Sequence, residues 1–106
     1  MDKQAIAQNV ADKLFATEES LDAAMVRAAQ LMEAMIEGRR AYRLSAVAGE
    51  VAQSRTAEAI AALSEARRAV MATHAALAHM QRDMDLEIEG ALDKAPKGKA
   101  ELRVAS

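Results

Sequence analysis

Cysteine and tryptophan are absent from this 106-residue chain, which holds one tyrosine, one phenylalanine, one proline and four glycines. Without cysteine there is neither a disulfide framework nor thiolate-ligated zinc. The scarcity of aromatic and β-branched residues excludes a sheet of any size. No apolar run approaches the roughly 18 residues a membrane-spanning helix needs, and no basic–apolar–small-residue leader opens the chain. The expectation is a cytoplasmic protein with no membrane span. Disorder is excluded from the opposite side, because 52% of the residues are hydrophobic and 28% are charged, too apolar a balance for a chain that stays unfolded.

What is abundant is helix-forming. Alanine makes up about a quarter of the chain, and Leu, Met, Glu, Gln and Arg fill much of the rest, the strongest formers on the propensity scale. Seven methionines against one phenylalanine describe a core of thin, flexible side chains. Alanine at a helix seam lets two axes approach toward the lower end of the usual ~8–10 Å, but each contact buries little area. At roughly 25 cal/mol per Å², such a hairpin is marginal alone, and a second copy would supply the missing burial.

Residues 2–37 contain neither Gly nor Pro. Ile6, Val10, Leu14, Leu21, Met25, Ala28, Leu31, Met32 and Met35 fall within a stripe of about 100° at helical spacing. One continuous helix is expected, with Asp2 as its N-cap and Gly38 as its stop, on the order of 52 Å long at 1.5 Å per residue. Thr17-Glu18-Glu19-Ser20 has the look of a cap, but the stripe passes through it without slipping. The one internal turn is centred on Glu37-Gly38-Arg39-Arg40-Ala41-Tyr42-Arg43.

Beyond it, Leu44, Val47 and Val51 form a short stripe, and Ile60, Leu63, Ala66, Val70, Thr73, His74, Leu77, Met80, Met84 and Ile88 form a second. The two point about 120° apart on the same projection. Either the second helix breaks near Gln53-Ser54-Arg55-Thr56, where Ser54 and Thr56 are suitable N-caps, or its ends pack against different partners; a break is expected. Ala57, Ala61, Ala72, Ala75 and Ala76 make the outer side of this helix small and apolar too, which suits a central place in a bundle. Gly90 closes the pattern, giving a helical domain over 1–90 and a flexible basic tail over 91–106.

The charge is uneven. Residues 2–37 carry seven acids against three bases, residues 39–90 seven of each, and the tail two acids against four bases. An acidic first helix beside Arg39, Arg40, Arg43, Arg55, Arg67 and Arg68 predicts ion pairs between helices or between subunits, each weak at a surface.

Catalytic constellations are missing from the pattern. No serine sits in a glycine elbow, no Gly-rich phosphate loop occurs, and acid pairs such as Asp83 with Glu87 lie on a polar face. His74 and His79, the only histidines, are about 140° apart around one helix. His79 with Asp83 can hold a metal only weakly, and the Glu-x-x-His patterns of metal-binding bundles are absent. An exposed His79 with Arg82 one turn on raises a phosphotransfer reading, although neither histidine is followed by the Lys-Gly common in such modules. Arg39-Arg40-Ala41-Tyr42-Arg43 is the densest basic feature. Its arginines can contact phosphates and Tyr42 can stack on a base, or the cations simply suit a helix C-terminus. A net charge of −2 weighs against general nucleic-acid affinity.

The sequence therefore predicts an all-α chain, a long antiparallel helical hairpin with a broken second helix, dimerising into a coiled-coil-like four-helix bundle. The function expected is that of a non-enzymatic interaction or structural module of adaptor or scaffold type. Its partners are a second copy and an unidentified protein, met at a helix face or at Arg39, Arg40, Tyr42 and Arg43, with no cofactor. A histidine-based phosphotransfer or metal site is the first alternative, nucleic-acid contact through the arginine turn the second.

Overall fold

The computed structural model describes residues 2–88 of the chain. They form two long helices, α1 (Lys3–Ala41) and α2 (Glu50–Asp83), joined by a turn over 42–49, with no strand among the described residues. The chain is a helical hairpin. No helix among the described residues is long and apolar enough to cross a membrane.

α1 begins as its sequence dictates. Asp2 caps it, its carboxylate Oδ1 accepting from the Ala5 N–H at 2.7 Å and its carbonyl accepting from the Ile6 N–H. The side-chain bond satisfies one of the otherwise orphaned first-turn donors, and the carbonyl bond is the first of the helix. Thr17-Glu18-Glu19-Ser20 is interior to the helix, so the unslipped stripe outweighs the local capping signal.

The end of α1 departs from expectation. The helix runs through Gly38 to Ala41, and the left-handed residue that stops it is Arg43, at φ 55°. The Leu44 N–H donates to the Arg39 carbonyl and the Arg43 N–H to the Arg40 carbonyl, the paired closure that satisfies the last carbonyls of a helix. Glycine is the usual occupant of that position because it lacks a Cβ; here arginine holds it, and Gly38, four to five residues earlier, is ordinary helix.

α2 departs more. Its backbone is unbroken from Glu50 through Ser54 and Thr56 to Asp83, so the expected break is absent. Gly49 at φ +76° precedes it, and the Gly49 carbonyl accepts the first helical bond, from the Gln53 N–H. Thr56 is not a cap. It is buried, and its hydroxyl donates back to the Ala52 carbonyl at 2.9 Å, which gives a mid-helix threonine an internal partner. The helix also ends before Gly90. Asp85, at φ 53°, takes the left-handed position, with the Leu86 N–H bonded to the Gln81 carbonyl and the Asp85 N–H to that of Arg82. Gly90 and the basic tail expected over 91–106 lie outside the described residues.

The two stripes on the second half of the chain now have a physical explanation. Leu44 and Val47 are in the turn, not in the helix, and with Val51 they are exposed. Their phase differs from that of Ile60–Leu77 because they never enter the same seam.

The packing divides into two compact units. In the first, made by the described residues up to Ala16 and from Val70 onward, Ala11, Leu14 and Ala78 are buried, with Phe15, Val70, Leu77 and Ile88 packed against them. Two alanines in a core of three bring the helix backbones close. In the second, residues 17–69, Thr56 is the buried side chain, and Leu21, Met25, Ala28, Met32 and Met35 of α1 and Ile60, Leu63 and Ala66 of α2 are half-buried. One ion pair crosses between the helices here, Arg67 Nε to Asp22 Oδ1 at 2.9 Å. Arg55 and Arg68 instead pair within α2, with Glu58 and Glu65. Ala11 is completely enclosed, and no large described side chain is.

Candidate functional site

In the first unit, the sequence stripe of α1 is wider than the surface α2 covers. Leu14 is buried, whereas Ile6 and Val10, turned toward one edge of the stripe, remain exposed. α2 has a matching edge, with Met80 and Met84 exposed and Leu77 half-buried. Between these edges runs an apolar groove of about 210 Å³ lined by Ile6, Val10, Leu77, Met80, Met84 and Ile88. The left-handed turn at Asp85 closes one end by bringing Leu86 back against it. Lys3 is the one charged residue of the lining and Gln81 the other polar one.

Gln81 gives the groove a defined polar point. Its Nε2 donates to the Leu86 carbonyl at 2.9 Å, pinning the turn, while its Oε1 is buried without a hydrogen-bond partner. A buried acceptor left unpaired costs about 1–3 kcal/mol. A flexible methionine lining adapts to an apolar occupant.

The histidines lie in the same unit and are kept apart by their spacing. His74 is half-buried with its ring 6.2 Å from that of Phe15 at an interplanar angle of 59°, a tilted aromatic pair at the edge of the core where its spacing predicts it. His79 is exposed, its Nε2 3.3 Å from Asp83 Oδ2 one turn on. No group of three or more His, Asp or Glu side chains placed to hold a metal occurs among the described residues.

The basic cluster belongs to the second unit. Arg40, Tyr42 and Arg43 are exposed, while Arg39 is half-buried with its Nε unpartnered. α1 positions Arg39 and Arg40 in its last turn, where cations suit the helix dipole, and the left-handed Arg43 reverses the chain. The four residues singled out from sequence are therefore brought to one end of α1 by its final turn and its closure.

The groove is what sequence reasoning missed. Its two edges were visible as apolar positions, but both were assigned to one core. Asp85 is the signal for its closed end, since Asp is among the few residues that tolerate the left-handed region, yet without glycine it gives no clear stop. Comparisons with protein-family models, curated proteins and solved structures found no match.

Proposed function

We propose that this chain is a helical interaction module without catalytic chemistry of its own, and that a second copy covers the groove of the first unit to build a four-helix bundle. The observation that carries the reading is the exposed apolar lining itself. Ile6, Val10, Met80 and Met84 stand in water beside a cluster in which Ala11, Leu14 and Ala78 are the hydrophobic residues buried among those described, so apolar surface is left within reach of a partner. A two-fold arrangement sets the same patch on both chains, apolar edge against apolar edge. The outward alanines Ala57, Ala61, Ala72, Ala75 and Ala76, all exposed, leave α2 thin enough for neighbouring helices to pack closely.

The test is sedimentation velocity at micromolar concentration on the full chain and on Val10→Asp. The wild type sediments as a dimer. An aspartate set in the covered groove buries an unpaired charge and weakens association by at least about 100-fold. A folded wild-type monomer throughout the micromolar range overturns the reading, and so does a Val10→Asp chain that dimerises unchanged.

A further inference from the structure

The turn between the helices carries a second, separate surface. Tyr42 is 81% exposed, Leu44 52%, Val47 71% and Val51 74%, four large apolar side chains within ten residues, of which Val51 also borders a shallow polar hollow with Glu50, Arg55 and Glu58. The contrast between the two helix ends is informative. Both close by the same paired bonding, in which the residue after the left-handed one usually packs back on the helix. At the end of α2 that residue, Leu86, is half-buried and lines the groove; at the end of α1 it is Leu44, and it stays in water. Around these side chains the charge is net positive. Residues 37–51 hold Arg39, Arg40 and Arg43 against Glu37 and Glu50 near the two ends, and none of the three arginines is held in an ion pair among the described residues.

We infer that the turn 42–49 with Arg39, Arg40 and Val51 is a docking tip for an anionic phospholipid surface. Such a surface offers both things the tip lacks: phosphate oxygens for guanidinium groups, which bind them through paired N–H donors, and an apolar layer directly beneath. Tyr42 places a ring and a hydroxyl at one boundary, as interfacial tyrosines do. Part of the backbone is already satisfied. The N–H groups of Tyr42, Arg43, Leu44, Ala48 and Glu50 are bonded to carbonyls of the turn and the helix end, which lowers the penalty of leaving water there, whereas those of Ser45, Ala46, Val47 and Gly49 have no backbone acceptor among the described residues. Nucleic acid presents phosphates too, but it would leave Leu44, Val47 and Val51 wet. The groove of the first unit takes no part, so the inference stands or falls apart from self-association.

The sequence supplies its own probe. Tyr42 is the sole tyrosine and there is no tryptophan, so the chain's intrinsic fluorescence above that of phenylalanine comes from the tip alone. The experiment mixes the full chain with phosphatidylcholine vesicles, with or without phosphatidylglycerol, whose acyl chains are brominated to quench fluorescence. Tyr42 is quenched on the anionic vesicles and not on the neutral ones. Arg40→Gln with Arg43→Gln lowers partitioning roughly 25-fold, about fivefold per arginine, and Leu44→Ser with Val47→Ser removes the quenching while circular dichroism stays helical. Absence of quenching on anionic vesicles overturns the inference, as does quenching that neither variant changes. Binding to a duplex oligonucleotide through the same arginines, with vesicles ignored, overturns it in favour of nucleic acid.

Discussion

Two of the described residues sit where L-amino acids are least comfortable. Arg43 and Asp85 both have φ near +55°, and each ends a helix in the position glycine normally fills. A left-handed non-glycine residue costs roughly 1–2 kcal/mol, of which glycine's extra unfolded-state entropy returns about 0.5–1. Arg43→Gly and Asp85→Gly should therefore each raise stability by roughly 0.5 kcal/mol or somewhat more, seen as a higher urea midpoint; a loss in both would mean that side-chain contacts at these positions outweigh the backbone strain. Thr56 poses the opposite question, a hydroxyl in a buried place. Because the Ala52 carbonyl that Thr56 Oγ1 meets is also the natural acceptor of the helical Thr56 N–H, deleting the hydroxyl strands no buried group. Thr56→Val should stay within about 0.5 kcal/mol of wild type, whereas Leu14→Ala, at a buried position, should cost about 2–3 kcal/mol. Chemical denaturation of the two variants side by side measures the difference.

At the scale of elements, the two helices were legible and their ends were not. Period and propensity identify α1 because residues 2–37 hold neither Gly nor Pro and the stripe keeps its phase through the one opposing signal, the cap-like Thr17-Glu18-Glu19-Ser20. Ends depend on single residues, and there the expected glycine stop misled. Gly38 lies within α1, and the left-handed glycine that precedes α2 is Gly49. Helix-interior glycine costs about 1 kcal/mol relative to alanine, and a Cβ added at Gly38 meets nothing within 4 Å. Gly38→Ala should stabilise by nearly that amount. Gly49 also has open space around it, but its φ of +76° penalises any Cβ, so Gly49→Ala should destabilise by about 1 kcal/mol. Opposite signs for the same substitution, read as shifts in thermal midpoint, check both assignments; a stabilising Gly49→Ala would place the start of α2 elsewhere. The expected break near Ser54 failed for a related reason. Serine and threonine are good caps only where a helix begins, and here apolar packing from Ile60 onward and the back-bonded Thr56 let the helix run through them.

For the whole molecule, what matters is how much apolar surface the fold leaves over. The sequence shows apolar positions on both helices, but not how many of them a single partner helix can cover, because that depends on how closely the backbones approach. With Ala11 and Ala78 in the buried cluster, α2 covers a narrow band. Leu14 goes under, while Ile6 and Val10 stay out. The groove with its unpaired Gln81 Oε1 is the consequence, a feature of packing rather than of pattern. If a second copy fills it, folding and association are one equilibrium, and stability becomes a function of chain concentration. The thermal midpoint of the wild type should then climb with each tenfold increase in concentration across the micromolar range, since mass action favours the associated folded state. Val10→Asp should lose that dependence and melt lower at every concentration. Gln81→Leu separates apolar burial from the polar point: it removes the unpaired oxygen but also the Nε2 bond that pins Leu86. If the oxygen is answered across the dimer, the variant loses affinity as well as the turn, and its midpoint falls most at high concentration. If it stays unanswered, the loss is the same at all concentrations, and the contact between copies does not reach Gln81.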